Sequence, residues 1–367
     1  MNQNQQALQR FKRNRWGVFS AYYIGLMLVI ALFAYVLSPD KTRHANQMHL
    51  TLHSKSPGFS VEMLHVPSSD VTKVSAFEKW TLGNPVPELA YPLASYEVKG
   101  NELHLLTYAD HPDLQETRIL TLAEFPGFSD WDAVLKSQVK TQTFWLGTDK
   151  YGRDLLSRML IGSRVSMAIG LVAVFISLVV GITFGLIGGF YGGKVDAAVM
   201  WLVNIIWSIP TLLLVIAITL ALGKGFWQVF VAVGLTMWVE VTRVVRGQVL
   251  AVREQQYVTA AKALGFSDWR IMLRHILPNI TAPIIVISAA NFASAILVES
   301  GLSFLGLGSQ PPIPSWGGII KDHYHYLLFG KPYLAMVPGL AISLITLAFM
   351  IMGNALRDAL DVKHGTV

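Results

Sequence analysis

Residues 254–279 read EQQYVTAAKALGFSDWRIMLRHILPN, a polar and basic segment between two long apolar runs. Gln255–Leu264 contains good helix formers with apolar residues three positions apart, which predicts a short helix. Gly265 follows where a helix end favours a left-handed residue. Ser267 is placed to cap a second short helix, which Pro278 is expected to end. The segment therefore predicts a helix-turn-helix on one side of a membrane.

The flanking apolar runs place the chain in that membrane. Of the 367 residues, 53% are hydrophobic and 14% charged, a composition too apolar for an ordinary soluble domain. Five runs exceed the roughly 20 residues that cross the hydrocarbon core. They are Trp16–Leu37, Val165–Gly193, Ala197–Gly223, Ile276–Val298 and Tyr333–Leu356. A shorter run, Gly225–Val239, is counted as a sixth span because its omission would place the flanking polar segments on inconsistent sides.

The polar segment carries a family resemblance. Tyr257-Val-Thr-Ala-Ala, followed by Gly265 and Ile276-Leu-Pro, resembles the EAA loop of ABC-importer permease subunits, and Arg274-His-Ile-Leu-Pro-Asn279 resembles the C-type subunit of dipeptide and oligopeptide permeases. The resemblance implies that this loop docks into a groove on a separate cytoplasmic ATPase. The implied coupling residues are Tyr257, Thr259, Ala260, Ala261, Gly265, Arg274, His275, Ile276, Leu277 and Pro278. Thr259 stands where the motif name has Glu, so no carboxylate is expected there.

Two further stretches carry the same resemblance. Trp145–Ser166, with Gly-Thr-Asp, Gly-Arg-Asp and Ser-Arg at fixed spacing, resembles the segment that these permeases carry before their core domain. Within it, Asp149–Arg164 is predicted as an amphipathic helix at the outer interface. Glu299–Gly318 resembles the signature that follows their fifth span. Its glycines and prolines predict an ordered external loop instead of a straight helix.

Residues 39–144 form a water-soluble insert between the first two spans. Alternation of apolar and polar residues predicts strands, and a short amphipathic helix is predicted near its end. The strand segments are Leu50–Leu52, Ser60–His65, Tyr96–Tyr108 and Glu116–Leu122, and the helix is Ser129–Val139. We expect a β-rich or α+β domain outside the cytoplasm. Its histidines have no spacing that specifies a metal site.

Polar residues within the predicted spans are candidates for the translocation path or its gate. Pro210 should kink the third span, which also holds Asn204 and Ser208. An ordinary kinked bundle helix is an equally good interpretation of Pro210. Asn291 lies in the run Ile276–Val298, and Glu299 lies at its predicted outer end. Polar side chains within a membrane span usually face the bundle interior or water.

Several other functions are excluded by the sequence. Gly188-Gly-Phe-Tyr-Gly-Gly-Lys194 matches the start of a phosphate-binding loop, but Val195 replaces the Ser or Thr that ligates magnesium. We expect no cofactor on this chain, with ATP and magnesium on partner subunits. Residues 39–150 hold 10 Lys and Arg against 14 Asp and Glu, so the net charge of +6 arises beside the spans. That is the positive-inside pattern of a membrane protein, and it argues against nucleic-acid binding.

The predicted fold is an all-α polytopic membrane protein with six transmembrane helices in a type I ABC importer permease fold, carrying an extracytoplasmic insert. We divide the chain into five parts. They are the cytoplasmic N-terminus and first span (1–38), the insert (39–144), an interfacial amphipathic segment (145–164), the permease core with its coupling loop 246–278 (165–357), and a cytoplasmic tail (358–367).

The resemblance implies a permease subunit of an ATP-driven, binding-protein-dependent importer of di- and oligopeptides, not an enzyme, in the cytoplasmic membrane of a bacterium. The implied partners are the bilayer, a second homologous permease subunit, two cytoplasmic ABC ATPases and an extracytoplasmic solute-binding protein. Nickel chelates, glutathione or another small solute are alternative cargoes. A receptor using residues 39–144 as a sensor is an alternative of another class, as is a membrane hydrolase, for which no nucleophile and base occur at matching depth.

Overall fold

The computed structural model describes residues 3–67, 75–84, 89–223 and 225–360. Most of them lie in helices. The helices are α1 (Gln3–Arg13), α2 (Arg15–Leu32), α3 (Ala34–Leu37), α4 (Ala76–Leu82), α5 (Trp131–Gln138), α6 (Leu155–Tyr191), α7 (Gly193–Trp207), α8 (Thr211–Leu222), α9 (Phe226–Val252), α10 (Gln256–Ala263), α11 (Asp268–Arg270), α12 (Thr281–Phe304), α13 (Trp316–His323) and α14 (Tyr333–Leu360). The predicted tail lies outside the described residues from position 361 onward.

Five helical stretches are long and apolar enough to cross a membrane. They are Arg15–Leu32, Leu155–Tyr191, Trp227–Val252, Asp268–Phe304 and Tyr333–Leu360. A sixth candidate is the pair α7 and α8, which is bent by 90° at Pro210. The prediction of a helical membrane protein with an insert after the first span is therefore confirmed, with five or six candidate spans. The break at Pro210 is much sharper than the predicted kink.

Helix α6 differs from its prediction at the outer end. No helix begins at Asp149, and no break separates residues 155–164 from the following span. Asp154 instead caps α6, accepting a hydrogen bond from the Ser157 N–H at 2.8 Å, and the helix then continues for 37 residues. At 1.5 Å per residue its length is about 55 Å, well beyond the roughly 30 Å of the hydrocarbon core.

Helices α6 and α9 form the most extensive helix contact of the described chain. Glycines at every fourth position of α6 lie directly against valines at every fourth position of α9. The pairs are Gly181 with Val241, Gly185 with Val245 and Gly189 with Val249. Because small residues allow two backbones to approach closely, this stripe gives the membrane core its tightest helix packing. It also keeps α9 helical to Val252, thirteen residues past its predicted end.

The insert forms one antiparallel sheet in the order β4-β3-β2-β1-β5. Its strands are β1 (Phe59–Val66), β2 (Leu89–Lys99), β3 (Glu102–Thr107), β4 (Thr117–Thr121) and β5 (Val139–Phe144). Side chains from the sheet and from α5 form its apolar core, among them Leu64, Leu103, Leu105 and Val134. Three of the four predicted strand segments (Ser60–His65, Tyr96–Tyr108 and Glu116–Leu122) and the predicted helix are present. Leu50–Leu52, however, is a single 3₁₀ turn, and β5 was missed.

Candidate functional site

The segment between α9 and α12 begins with α10, which ends in the predicted way. Gly265 has φ +76°, the left-handed conformation expected at a helix C-terminus. The Phe266 N–H donates to the Ala261 carbonyl at 3.2 Å, and the Gly265 N–H donates to the Lys262 carbonyl at 2.9 Å. Together these two bonds form a complete Schellman motif, which fixes the turn.

One face of α10 is buried and the other is exposed. Val258 and Ala261 pack with Ile271, Met272 and Ile276 in a cluster that also includes side chains of α6 and α9. Leu264 was predicted to continue this buried stripe, but its side chain is 73% exposed. Leu264 is the C-cap residue, directly before the turn at Gly265. The helix is therefore anchored to the bundle through Val258 and Ala261, and its Lys262 Nζ lies 4.9 Å from the centre of the Phe190 ring on α6.

The helix after the turn does not end at Pro278. Asp268–Arg270 is followed by a π-helical turn (Ile271–Ile276) and a 3₁₀ turn (Leu277–Ile280), which lead without interruption into α12. Pro278 occupies the start of the 3₁₀ turn, where its missing N–H costs least. Asn279 Nδ2 donates to the His275 carbonyl at 2.6 Å, and Thr281 Oγ1 donates to the Pro278 carbonyl at 3.0 Å. Ser267 precedes the helix but its side chain makes no capping bond.

The predicted coupling residues divide between surface and core. Six of the ten are exposed, and they are Tyr257, Thr259, Ala260, Gly265, Arg274 and Pro278. Ala261 and Ile276 are buried, and His275 and Leu277 are half-buried, with His275 stacked on Phe266. The exposed surface, here called the coupling face, also includes Leu264, Trp269 and Leu273, which the motif did not identify. Several exposed apolar side chains of this size within one short segment make it a candidate interaction site.

The bend between α7 and α8 borders a cavity of about 200 Å³. It is lined by residues from both sides of the bend, from α9 and from α12. They are Ile206, Trp207, Ile209, Thr211, Leu214, Thr236, Met237, Val239, Glu240, Ser294 and Val298. Asn204, Ser208 and Pro210 are exposed but do not line it, and Ser208 Oγ instead donates to the Ile205 carbonyl at 2.7 Å. The three predicted residues therefore lie next to residues that line the cavity but do not line it themselves.

The two remaining path candidates are buried in the bundle. Asn291 is 1% exposed and Glu299 is fully buried. Ser303 Oγ donates to Glu299 Oε1 at 2.6 Å, and Ser303 in turn lies 3.3 Å from the hydroxyl of Ser315, which caps α13. Glu299 therefore fastens the loop after α12 onto that helix, and neither residue lines the cavity.

The N-terminal end of α6 packs on a buried group of charges. Asp149 accepts hydrogen bonds from the backbone of Tyr151 and Arg153, and Arg153 Nε lies 2.6 Å from its other carboxylate oxygen. Arg158 Nε lies 3.6 Å from the same oxygen. Arg153 also donates to the side chain of Asn46 at 2.9 Å. The Gly-Thr-Asp and Gly-Arg-Asp motif is thus a structural link between the insert and the membrane core.

His49 contacts the segment that precedes α6, where its backbone N–H donates to the Tyr151 carbonyl at 3.2 Å. Burial lowers the pKa of the His49 imidazole from 6.5 to about 4, although the charge of Asp40 opposes the shift. A histidine with a depressed pKa is neutral in the folded protein and takes up a proton on unfolding. Its contribution to stability is therefore intact above about pH 6.5 and is lost as the pH falls toward 4.

We expect His49→Gln to remove part of the protein's acid sensitivity. The lowered pKa of His49 corresponds to a loss of roughly 3 kcal/mol in the free energy of unfolding at low pH. Between about pH 7 and 4.5, the melting temperature of the wild type should fall further than that of the variant. His111→Gln, at an exposed position of the insert, is the matched control and should follow the wild type. Parallel curves for wild type and His49→Gln would contradict this role.

Comparison with known proteins identifies the membrane core. A model of the family described as "binding-protein-dependent transport system inner membrane component" matches residues 181–363. A second model, the "N-terminal TM domain of oligopeptide transport permease C", matches residues 2–57. Most of the insert lies between the two matched regions.

Individual relatives agree with these models. A glutathione transport system permease protein (GsiD) of Pectobacterium atrosepticum is 37% identical over 236 residues, 64% of this chain and 77% of the relative. A dipeptide permease protein (DppC) of Lactococcus lactis is 39% identical over 240 residues, 65% and 70% respectively. An oligopeptide permease protein (OppC) of Bacillus subtilis is 38% identical over 219 residues, 60% and 72%.

A bundle of apolar helices with these matches defines a multi-pass subunit of an inner-membrane transport system. The chain belongs to the family of binding-protein-dependent transport system inner membrane components. Within it, the chain is a permease of an ABC importer of the peptide or glutathione type, as its sequence motifs indicated. It is a transport component without catalytic activity of its own. ATP is bound by partner ATPases, and the system includes a solute-binding protein.

Proposed function

We propose that this chain carries di- and oligopeptides across the cytoplasmic membrane of a bacterium. The observation that supports this most directly is its similarity, over the membrane core, to permeases named for dipeptide and oligopeptide transport. Both termini and the coupling face lie in the cytoplasm in this proposal, and the sheet domain lies outside. The basic last turn of α1, with Arg10, Lys12 and Arg13, agrees with that orientation.

The ATPase subunits dock on residues 254–278 through the coupling face. The Schellman turn at Gly265 holds α10 at a fixed angle, and Ala260 presents only a methyl group, which lets another surface approach closely. Because the helical path from Asp268 to Phe304 is continuous, a displacement of the coupling face moves α12 directly. Closure of the ATPases on ATP therefore rocks the spans and opens the path to the outside.

A second, homologous permease subunit completes the path. In this chain, α7 and α8 carry several large apolar side chains that are exposed, including Trp201, Trp207 and Leu213. An apolar face of that extent beside the cavity suits contact with a second membrane subunit. On the outer side, the solute-binding protein delivers the peptide, and the sheet domain of the insert extends the surface available to it.

The test is uptake by the whole transporter. The chain, its partner permease, the two ATPases and the binding protein are reconstituted in liposomes with ATP on the ATPase side, and accumulation of radiolabelled dipeptide and oligopeptide is measured. We expect uptake that requires both ATP and binding protein. Uptake of neither peptide, with a binding protein that co-purifies with a different solute, would contradict the proposed cargo.

Glutathione is the second candidate cargo, because one of the relatives is named for its transport. Glutathione is itself a tripeptide, so it can be tested in the same assay as a competitor. Excess unlabelled glutathione abolishes the uptake of labelled peptide only if the transporter accepts both solutes. A receptor that uses residues 39–144 as a sensor would show ligand binding without ATP-dependent accumulation, which distinguishes that class.

A further inference from the structure

Glu240 has an unexpected position in the membrane core. Glu240 directly follows the predicted span Gly225–Val239, but α9 continues to Val252, so Glu240 lies near the middle of that helix. At 1.5 Å per residue it is about 20 Å from either end, which is membrane depth. Its side chain is exposed and lines the cavity at the bend between α7 and α8.

Within the described residues, no cation pairs with this carboxylate. Arg243, one turn along α9, directs its guanidinium over the ring of Trp207 at 3.9 Å. Arg246, a further turn along, pairs with Asp196 through its Nε and Nη2 atoms, with Nη2 to Oδ2 at 2.6 Å. The two basic residues that follow Glu240 on its own helix are thus engaged elsewhere. Carboxylates at this depth are costly to hold, and they usually serve transport or proton transfer.

The helix ends at the bend between α7 and α8 add smaller charges to the same cavity. The C-terminal end of α7, at Trp207, carries a partial negative charge of about half an elementary charge, and the N-terminal end of α8, at Thr211, carries a similar positive charge. Both residues line the cavity, so the two partial charges largely offset each other. Among the residues that line the cavity, only Glu240 is ionisable, so its carboxylate is the group that could bind a cation there.

We propose that Glu240 receives the α-ammonium group of the peptide during its passage, so that this permease selects solutes with a free amino terminus. The inference rests on the proposed function, since it names the group on the cargo that this residue recognises. The hydroxyls of Thr211 and Ser294 line the same cavity and supply neutral acceptors beside the carboxylate. Because the Glu240 side chain is exposed, water can replace the contact and the ammonium group can be released again.

Because the chain contains no cysteine, a cysteine introduced at position 240 can be modified selectively with reagents of different charge. Glu240→Cys is assembled in the complete transporter, with cysteine-free partners, and then treated with one of three thiol reagents. Sulfonatoethyl methanethiosulfonate restores a negative charge, trimethylammonioethyl methanethiosulfonate adds a positive one, and methyl methanethiosulfonate adds none. Gln248→Cys, exposed on the same helix about two turns away, is the matched control.

We expect Glu240→Cys to lower the uptake of a free-amine peptide roughly tenfold or more, because a charged hydrogen-bond partner is lost. The sulfonate reagent should restore most of that loss, and the other two should not. Gln248→Cys should transport normally and respond to none of the reagents. Binding-protein-stimulated ATP hydrolysis should persist in all variants, which shows that each complex is assembled.

Other results would separate the two proposals. If the wild-type complex takes up no peptide, the proposed function is wrong. If the wild type takes up peptide and Glu240→Cys does so equally well, or all three reagents act alike, the role of Glu240 is wrong and the proposed function stands. Glu240→Gln, which keeps the side-chain shape, provides the same comparison should the cysteine variant fail to assemble.

Discussion

A Gly185→Leu variant is expected to lose its folded membrane core, whereas a Gly247→Leu variant is expected to keep it. A Cβ atom at position 185 would lie 2.7 Å from the Val245 Cβ and 3.0 Å from the Thr242 carbonyl oxygen. Neither neighbour can move without α9 moving, because both belong to or point from its backbone. A leucine would push α6 and α9 apart and lose the packing of the whole stripe, at a cost of about 3 kcal/mol or more.

The control isolates the helix contact from the general cost of replacing a glycine. Gly247 is also helical, but a Cβ atom built there meets nothing within 4 Å. Detergent-extracted protein is compared by the monodisperse fraction on size exclusion and by melting temperature. We expect Gly185→Leu to aggregate or to melt well below the wild type. Equal stability of the two variants would mean that α6 and α9 do not pack through this stripe.

The second large effect is expected at Ala260, where arginine should detach the ATPases from a correctly folded permease. Ala260 is exposed on α10, while Val258 and Ala261 hold the opposite face in the bundle. A long charged side chain on the coupling face would block close approach without disturbing the buried face. If Ala260 lies at a hot spot of the interface, the substitution costs about 2 kcal/mol or more, which corresponds to roughly a 30-fold loss of affinity.

Co-purification measures this effect. The ATPase subunits are quantified after affinity capture of the permease at a fixed concentration, and ATP-dependent uptake is measured in parallel. Ala260→Ser, which adds a single hydroxyl, is the matched control and should retain both. Normal capture of the ATPases by Ala260→Arg would mean that the coupling face lies elsewhere.

The coupling segment shows how far local sequence signals extend. The helix before Gly265 and the left-handed turn were predicted correctly because both follow from residues within one or two turns. The end at Pro278 was wrong because a proline can be accommodated when a π turn precedes it and side chains satisfy the freed carbonyls. That accommodation depends on Asn279 and Thr281, whose ordinary polar character gave no signal in the sequence.

The residues that line the cavity could not be predicted from the sequence. Asn204, Ser208 and Pro210 were chosen for their polarity or kinking within an apolar run, and the structure puts their neighbours into the cavity instead. Which side chains line a cavity depends on the direction in which α8 leaves Pro210, and a proline alone does not specify a 90° bend. The strand β5 was missed for a related reason. Its polar residues, Lys140-Thr-Gln-Thr143, show no alternation, and it forms only by pairing with β1 at the edge of the sheet.

The unbroken length of α6 has a mechanical consequence. One end is fixed to the insert by the charges around Asp149, and the other meets the turn at Gly192, where Arg253 donates to the Gly189 carbonyl at 2.9 Å. A rod of about 55 Å acts as a lever, and a tilt of roughly 10° would shift one end relative to the other by about 10 Å. In the proposed orientation, a force that the ATPases apply at one end of α6 would therefore be transmitted along this single helix to the insert at its other end.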